Sequence, residues 1–145
     1  MSVIEKSREV GHRQEQLFAL VNDTEAYPLF VPYCSAGRVI STDGVIKIAE
    51  LDFTAMGFTQ SLRTRNTLHP NSQIDVHLVS GPMRALEGVW RFIQLEEQKT
   101  LVQLRFELEF AGGFMMGAIE PIISNVLSGL VDDFCRYADQ VYNEN

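Results

Sequence analysis

The chain has 145 residues, 46% hydrophobic and 21% charged, which is ordinary for a globular protein and enough to bury a sizeable core in one domain spanning 1–145. Its formal net charge of -7, from 12 Lys and Arg against 19 Asp and Glu, argues against broad electrostatic binding of nucleic acid: no DNA partner is expected, and an RNA partner would have to use a local basic patch. No apolar run reaches the ~18 residues of a membrane span and the N-terminus alternates instead of forming a signal-peptide core, so the expected location is cytoplasmic, with peripheral membrane contact left open.

Ser2 to Val10 reads as a strand whose faces are both partly charged, which suits an edge position. Gly11 ends it. Leu17, Phe18, Leu20 and Val21 predict a short helix over Gln14 to Val21, and Thr24 is placed to cap a second over Thr24 to Leu29, with Pro28 and Pro32 keeping both pieces short. Strand signals then follow one another without an intervening helix. Ala36 to Ser41 and Val45 to Thr54 flank Asp43-Gly44, a hairpin cue, and Met56-Gly57 turns the chain into Phe58 to Leu68. His69-Pro70-Asn71 leads to Ile74 to Ser80, Gly81-Pro82 to Ala85 to Leu95, and Glu96-Glu97-Gln98 to Thr100 to Phe110. In that last strand Val102, Leu104, Phe106, Leu108 and Phe110 alternate with Gln103, Arg105, Glu107 and Glu109, so one face is buried and the other wet.

After Gly112-Gly113, apolar residues from Ile119 to Val141 recur at three- and four-residue intervals over Phe114 to Tyr142, predicting a long amphipathic helix with a kink or break between Gly117 and Pro121. A curved antiparallel sheet wrapped on such a helix is an α+β architecture. Where the sheet fails to close on the helix, an apolar cavity of ~300–1,000 Å³ is the expected functional feature. The candidate lining is Tyr27, Phe30, Val31, Tyr33, Phe53, Trp90, Phe92, Phe106, Met115, Leu127, Leu130 and Phe134. Met56, Met83, Met115 and Met116 supply adaptable apolar groups near its mouth.

No catalytic constellation is evident: there is no nucleophile elbow, phosphate-cradling glycine loop or zinc-binding His pair. Cys34 and Cys135 are read as reduced, partly buried thiols, and His12, His69 and His77 have no metal-ligand spacing. Arg63, Arg65, Arg91 and Arg105 are expected to interleave with Asp75, Glu87, Glu107 and Glu109 on the outer face, a basic spot for an anionic partner being the sharper alternative. Asp132 and Arg136 read as an i,i+4 surface pair, and Asp133 and Tyr137 as rim residues of the long helix.

Three segments carry a resemblance. They are Val21-Asn22-Asp23-Thr24-Glu25-Ala26-Tyr27-Pro28-Leu29-Phe30-Val31-Pro32-Tyr33-Cys34, then Thr64-Arg65-Asn66, then Gly81-Pro82-Met83-Arg84-Ala85-Leu86-Glu87-Gly88-Val89-Trp90-Arg91-Phe92. Together they resemble the coenzyme Q-binding START-like family, in particular its bacterial ribosome association toxin branch, with Met83 standing where an aromatic is usual. The resemblance implies a helix-grip (START-like, Bet v 1-like) fold and two non-catalytic functions. One is binding of ubiquinone or a related isoprenoid lipid in support of respiration, with no other cofactor. The second is association with the large ribosomal subunit that blocks subunit joining, within a toxin-antitoxin system. A third reading, a polyketide cyclase-like enzyme on the same fold, would need a polar residue set inside the cavity that the sequence does not reveal.

Overall fold

The computed structural model describes residues 2–112 and 114–142, with the side chains of 114–116 and 118 outside the description. Met115, a candidate lining residue, therefore lies outside the described side chains, as do Phe114 and Met116. The elements in order are β1 (Ser2–Val10), α1 (Gln14–Asn22), a 3-10 helix (Thr24–Leu29), β2 (Cys34–Asp43), β3 (Ile46–Ala55), β4 (Phe58–His69), β5 (Gln73–Ser80), β6 (Met83–Glu96), β7 (Lys99–Phe110) and α2 (Phe114–Tyr142). The strands form one seven-stranded sheet in the order β1-β7-β6-β5-β4-β3-β2, antiparallel throughout, with β1 at the edge that its charged faces predicted.

Two sequence signals set this topology. The hairpins form where the chain accepts left-handed backbone: Met56 at φ 55° and Gly57 at φ 79° make a two-residue turn with both φ positive, the hand that matches strand twist. Register shifts between Cys34 and Ala36, Val39 and Ser41, Arg63 and Thr64, Met83 and Ala85, and Gln94 and Glu96 then bend the strands, so the sheet curls instead of lying flat.

The apolar stripe of α2 buries Ile119, Ile123, Val126, Leu127, Leu130, Val131, Phe134 and Ala138, while Asn125, Asp132, Arg136 and Asp139 face out. Of the kink or break expected between Gly117 and Pro121, the break does not occur: one helix runs through Pro121. Pro121 and Gly117, four residues earlier, are both exposed, so the carbonyl that loses its partner faces water. The C-terminal end of α2 is tied to the start of the chain. His12 Nε2 meets Asp139 Oδ1 at 2.8 Å, and Tyr142 donates to the Gln16 carbonyl at 3.2 Å.

The 3-10 helix packs across β2, and Gly37 permits it: a Cβ there would fall 2.2 Å from the Thr24 carbonyl oxygen. Thr24 does not cap this segment. Asp23 holds the cap position, with no side-chain cap bond, and the Thr24 side chain is buried.

The outer-face ion pairs follow register; Arg105 with Glu107 matches the expected set, and the others take different partners. Arg63 sits directly across from Glu50 and bonds it at 2.8 Å, because β5 offers it only Ser80. Arg38 bridges Glu50 and Asp52, meeting Asp52 Oδ1 at 2.8 Å, and Ser61 donates to Asp52 at 2.6 Å. Arg105 pairs with Glu107 and Glu5, whereas Asp75 meets His69, and Glu109 meets Arg84. On α2, Arg136 pairs with Asp133 one turn back, and Asp132 reaches Arg8 on β1 at 3.1 Å instead.

The Arg38 cluster makes stability pH-dependent. Hydrogen bonds from Arg38, with Arg63 and Ser61, hold the Glu50 and Asp52 carboxyls below their ordinary values. A depressed carboxyl contributes stability above the unfolded value, about 4, and loses it as pH falls through the folded one. Arg38→Met should therefore lower the urea midpoint at pH 7 but flatten its fall between pH 5 and pH 2. Parallel acid profiles in both proteins would rule this out.

Candidate functional site

The inward positions of the curled sheet and the buried stripe of α2 do not meet everywhere. The backbone of α2 approaches β1, β7 and α1 most closely, while the 3-10 helix covers β2 and touches β3. Between the two coverings lies a cavity with about 70 Å³ of space open to the centre of a water molecule. Its walls come from alternate residues of each strand: Ala49, Leu51 and Phe53 on β3, Leu62, Thr64 and Asn66 on β4, Val76 on β5, Leu86 and Trp90 on β6, and Phe106 on β7. Val126, Leu127 and Leu130 of α2 form the roof, and Thr24, Tyr27 and Val31 close the remaining side.

Seen against the sequence, the cavity gathers Tyr27, Val31, Phe53, Trp90, Phe106, Leu127 and Leu130. It does not gather Phe30, Tyr33, Phe92 or Phe134. Phe92 and Phe134 are fully buried core, Phe92 edge-on to Phe18 and stacked with Trp90, Phe134 edge-on to Tyr27, Phe30 and Trp90. Phe30 lies flat against Tyr137, ring centres 4.1 Å apart. Tyr33, at φ 64°, turns outward and is 53% exposed.

Sequence reasoning missed the polar part of the wall, Thr24, Thr64 and Asn66. A signal was present for two of them: Thr64 and Asn66 share the inward parity of Leu62 and Leu68 on β4, where an all-apolar run is the ordinary pattern.

The electrostatics are those of a neutral chamber. Tyr27 donates its hydroxyl to the Val21 carbonyl, and burial pushes its pKa well above the usual phenol value, so it presents only its ring to the cavity. Burial pushes the thiols of Cys34 and Cys135 up to about 11, leaving neither as a thiolate near pH 7. Among the described residues, that phenol is the one wall group that can ionise, and none of them brings a carboxylate, histidine, lysine or cysteine to the lining. Proton transfer to or from a bound molecule by a wall side chain therefore has no ready agent. Among the described residues no group of His, Cys, Asp and Glu is arranged to hold a metal ion.

On the opposite, convex face a polar groove is lined by Glu5, Lys6, Ser7, Val89, Arg91, Gln103, Leu104 and Arg105. Arg105 is occupied by Glu5 and Glu107, but Arg91 has no acidic partner among the described residues; Lys6, paired across from the buried Leu104, has the inward parity.

Comparison with known proteins agrees with this architecture. Residues 10–135 match the family described as polyketide cyclase/dehydrase and lipid transport. The ribosome association toxin RatA of Vibrio cholerae is 36% identical, over 99% of this chain and 100% of that one. The mitochondrial coenzyme Q-binding protein COQ10 homolog B of Xenopus laevis is 28% identical over 60% of this chain and 36% of its own length. Among solved structures, the Streptomyces Zhui aromatase/cyclase superposes with a TM-score of 0.82 at 14% identity, covering 96% of this chain and 94% of that one.

Proposed function

The chain belongs to the polyketide cyclase/dehydrase and lipid transport family, in its START-like RatA branch, and from that premise we propose that it binds an apolar small molecule of the isoprenoid quinone class without converting it. The observation that carries this reading is the cavity wall: aromatic and aliphatic, closed by a few neutral polar groups, and lacking any acid–base pair. The name of the Xenopus relative supports the choice of quinone. The 70 Å³ is well below the ~300 Å³ of a pocket that encloses a drug-sized ligand. It is about half the ~150 Å³ cavity that admits a benzene-sized ring, so a ring enters only with some widening and an isoprenoid tail does not fit. A long-tailed ligand must therefore widen the cavity or leave its tail outside.

Trp90 is the only tryptophan and lines the cavity, so it reports on occupancy directly. Titration with a short-chain ubiquinone should quench its emission saturably, and mass spectrometry of organic extracts should find the natural ligand. Linear, non-saturating quenching together with a lipid-free extract would overturn the reading.

A second reading has its own support. The RatA relative aligns from end to end, and the convex groove supplies Arg91 as an unpaired cation on an otherwise acidic molecule. On that reading the protein associates with the large ribosomal subunit and works in the cytoplasm. Co-sedimentation with large subunits at ~50 mM and ~200 mM salt tests it, because phosphate contacts weaken steeply with salt. Absence from the ribosomal pellet at both concentrations would exclude it.

A further inference from the structure

The cavity is polar at one end only. The register sets Thr64 opposite Ala49 and Asn66 opposite Lys47 on the inward face, and the single methyl of Ala49 leaves space in front of Thr64. Thr64 Oγ1 donates to Asn66 Oδ1 at 3.0 Å, which fixes the Asn66 amide with its nitrogen free. Neither N–H of that amide meets an acceptor among the described residues, yet no side-chain polar atom there is both sealed from solvent and unbonded. The amide therefore opens on the cavity that it lines. The Thr24 hydroxyl, on a residue only 4% exposed, likewise has no protein partner and enters the wall from the 3-10 helix.

Lys47 shuts the chain off behind this end. Its amine, pushed down in pKa by burial, bonds the Asn22 carbonyl and Asn22 Oδ1 at the C-terminus of α1, where the helix dipole favours a cation. Being held there, it lies outside the lining and leaves the cavity wall without a cation. Trp90, Phe106, Leu127 and Leu130 make the rest of the chamber apolar.

From this asymmetry, and resting on the apolar-ligand reading above, we infer that the ligand binds head first, with a neutral ring carbonyl accepting from Asn66 Nδ2 and Thr24 Oγ1. The geometry selects a carbonyl-bearing ring over a fatty acid. A carboxylate brought here would be a buried charge with no counter-ion. An oxygen-free hydrocarbon would leave the two donors dry and unpaired.

The test uses the full chain and three probes with the same tail: a decyl-substituted benzoquinone read by Trp90 quenching, and decylbenzene and a fatty acid of like length read by its displacement. Wild type should prefer the quinone to both. Asn66→Leu should weaken the quinone about tenfold, the scale of one lost hydrogen bond to a buried donor, and leave decylbenzene as tight or tighter. Thr24→Val, which keeps the shape, should act in the same direction and serves if Asn66→Leu fails to fold. Quinone binding unchanged in either folded variant, or fatty acid preferred to quinone, overturns head-first binding while the apolar-ligand reading stands. Wild type that takes up none of the three probes overturns both.

Discussion

Truncating Phe134 to alanine should lower the unfolding free energy by ~3–5 kcal/mol, and the thermal midpoint by roughly 10 °C or more. Phe134 is fully buried, and its ring meets three others edge-on: Tyr27 at 5.1 Å, Phe30 at 4.8 Å and Trp90 at 5.3 Å. Those rings belong to the 3-10 helix, the loop after it and β6, so one side chain of α2 joins the helix-and-loop segment to the sheet. Each such aromatic pair adds ~0.5–1.5 kcal/mol beyond the area it buries, and the void left by alanine cannot be refilled by neighbours already packed on one another. Phe134→Leu keeps most of the volume and should recover much of the loss. Urea and thermal denaturation followed by circular dichroism measure both. A Phe134→Ala midpoint within about 2 °C of wild type would show that the aromatic cluster is not what fastens α2 to the sheet.

That cluster also shows where sequence reasoning stops. The elements were legible because each had its own period: two in β7, where Val102 to Leu108 alternates with charged partners, and between three and four in α2. The turns were legible from local chemistry at Asp43-Gly44, Met56-Gly57 and Pro70-Asn71. Period places a residue on the inward face but does not say what it meets there. Phe53 and Phe106 face open space, whereas Phe92 and Phe134 face other rings, and nothing in their immediate sequence separates the two pairs. Most of the ion pairs were missed for a related reason: Arg63 meets Glu50 because β4 and β3 are in that register, a relation that one-residue slips would erase. Thr64 and Asn66 were the readable exception, two polar residues at inward positions, and the proposed ligand orientation rests on the Asn66 amide.

The second large effect is expected on binding more than on stability. Gly88→Val should weaken ligand uptake at least tenfold while costing the fold ~1–3 kcal/mol, the usual range for an overpacked site. Gly88 and Phe106 are direct partners across β6 and β7, and the Phe106 ring lies over the glycine. A Cβ at Gly88 would fall 2.1 Å from Phe106 Cδ1 and 2.2 Å from Cε1, so the ring has to move. On its other side Phe106 faces the cavity, and the main chain beneath it is locked into the sheet. The displaced ring therefore goes into the 70 Å³ of free space and takes up much of it. Trp90, across the same chamber, should change its emission, and quinone should quench it with at least tenfold weaker apparent affinity. The direction of the outcome separates two ideas of where the ligand sits. If the Gly88→Val protein folds and still binds quinone like wild type, the ligand does not occupy the chamber under α2, because the substitution has taken up much of it.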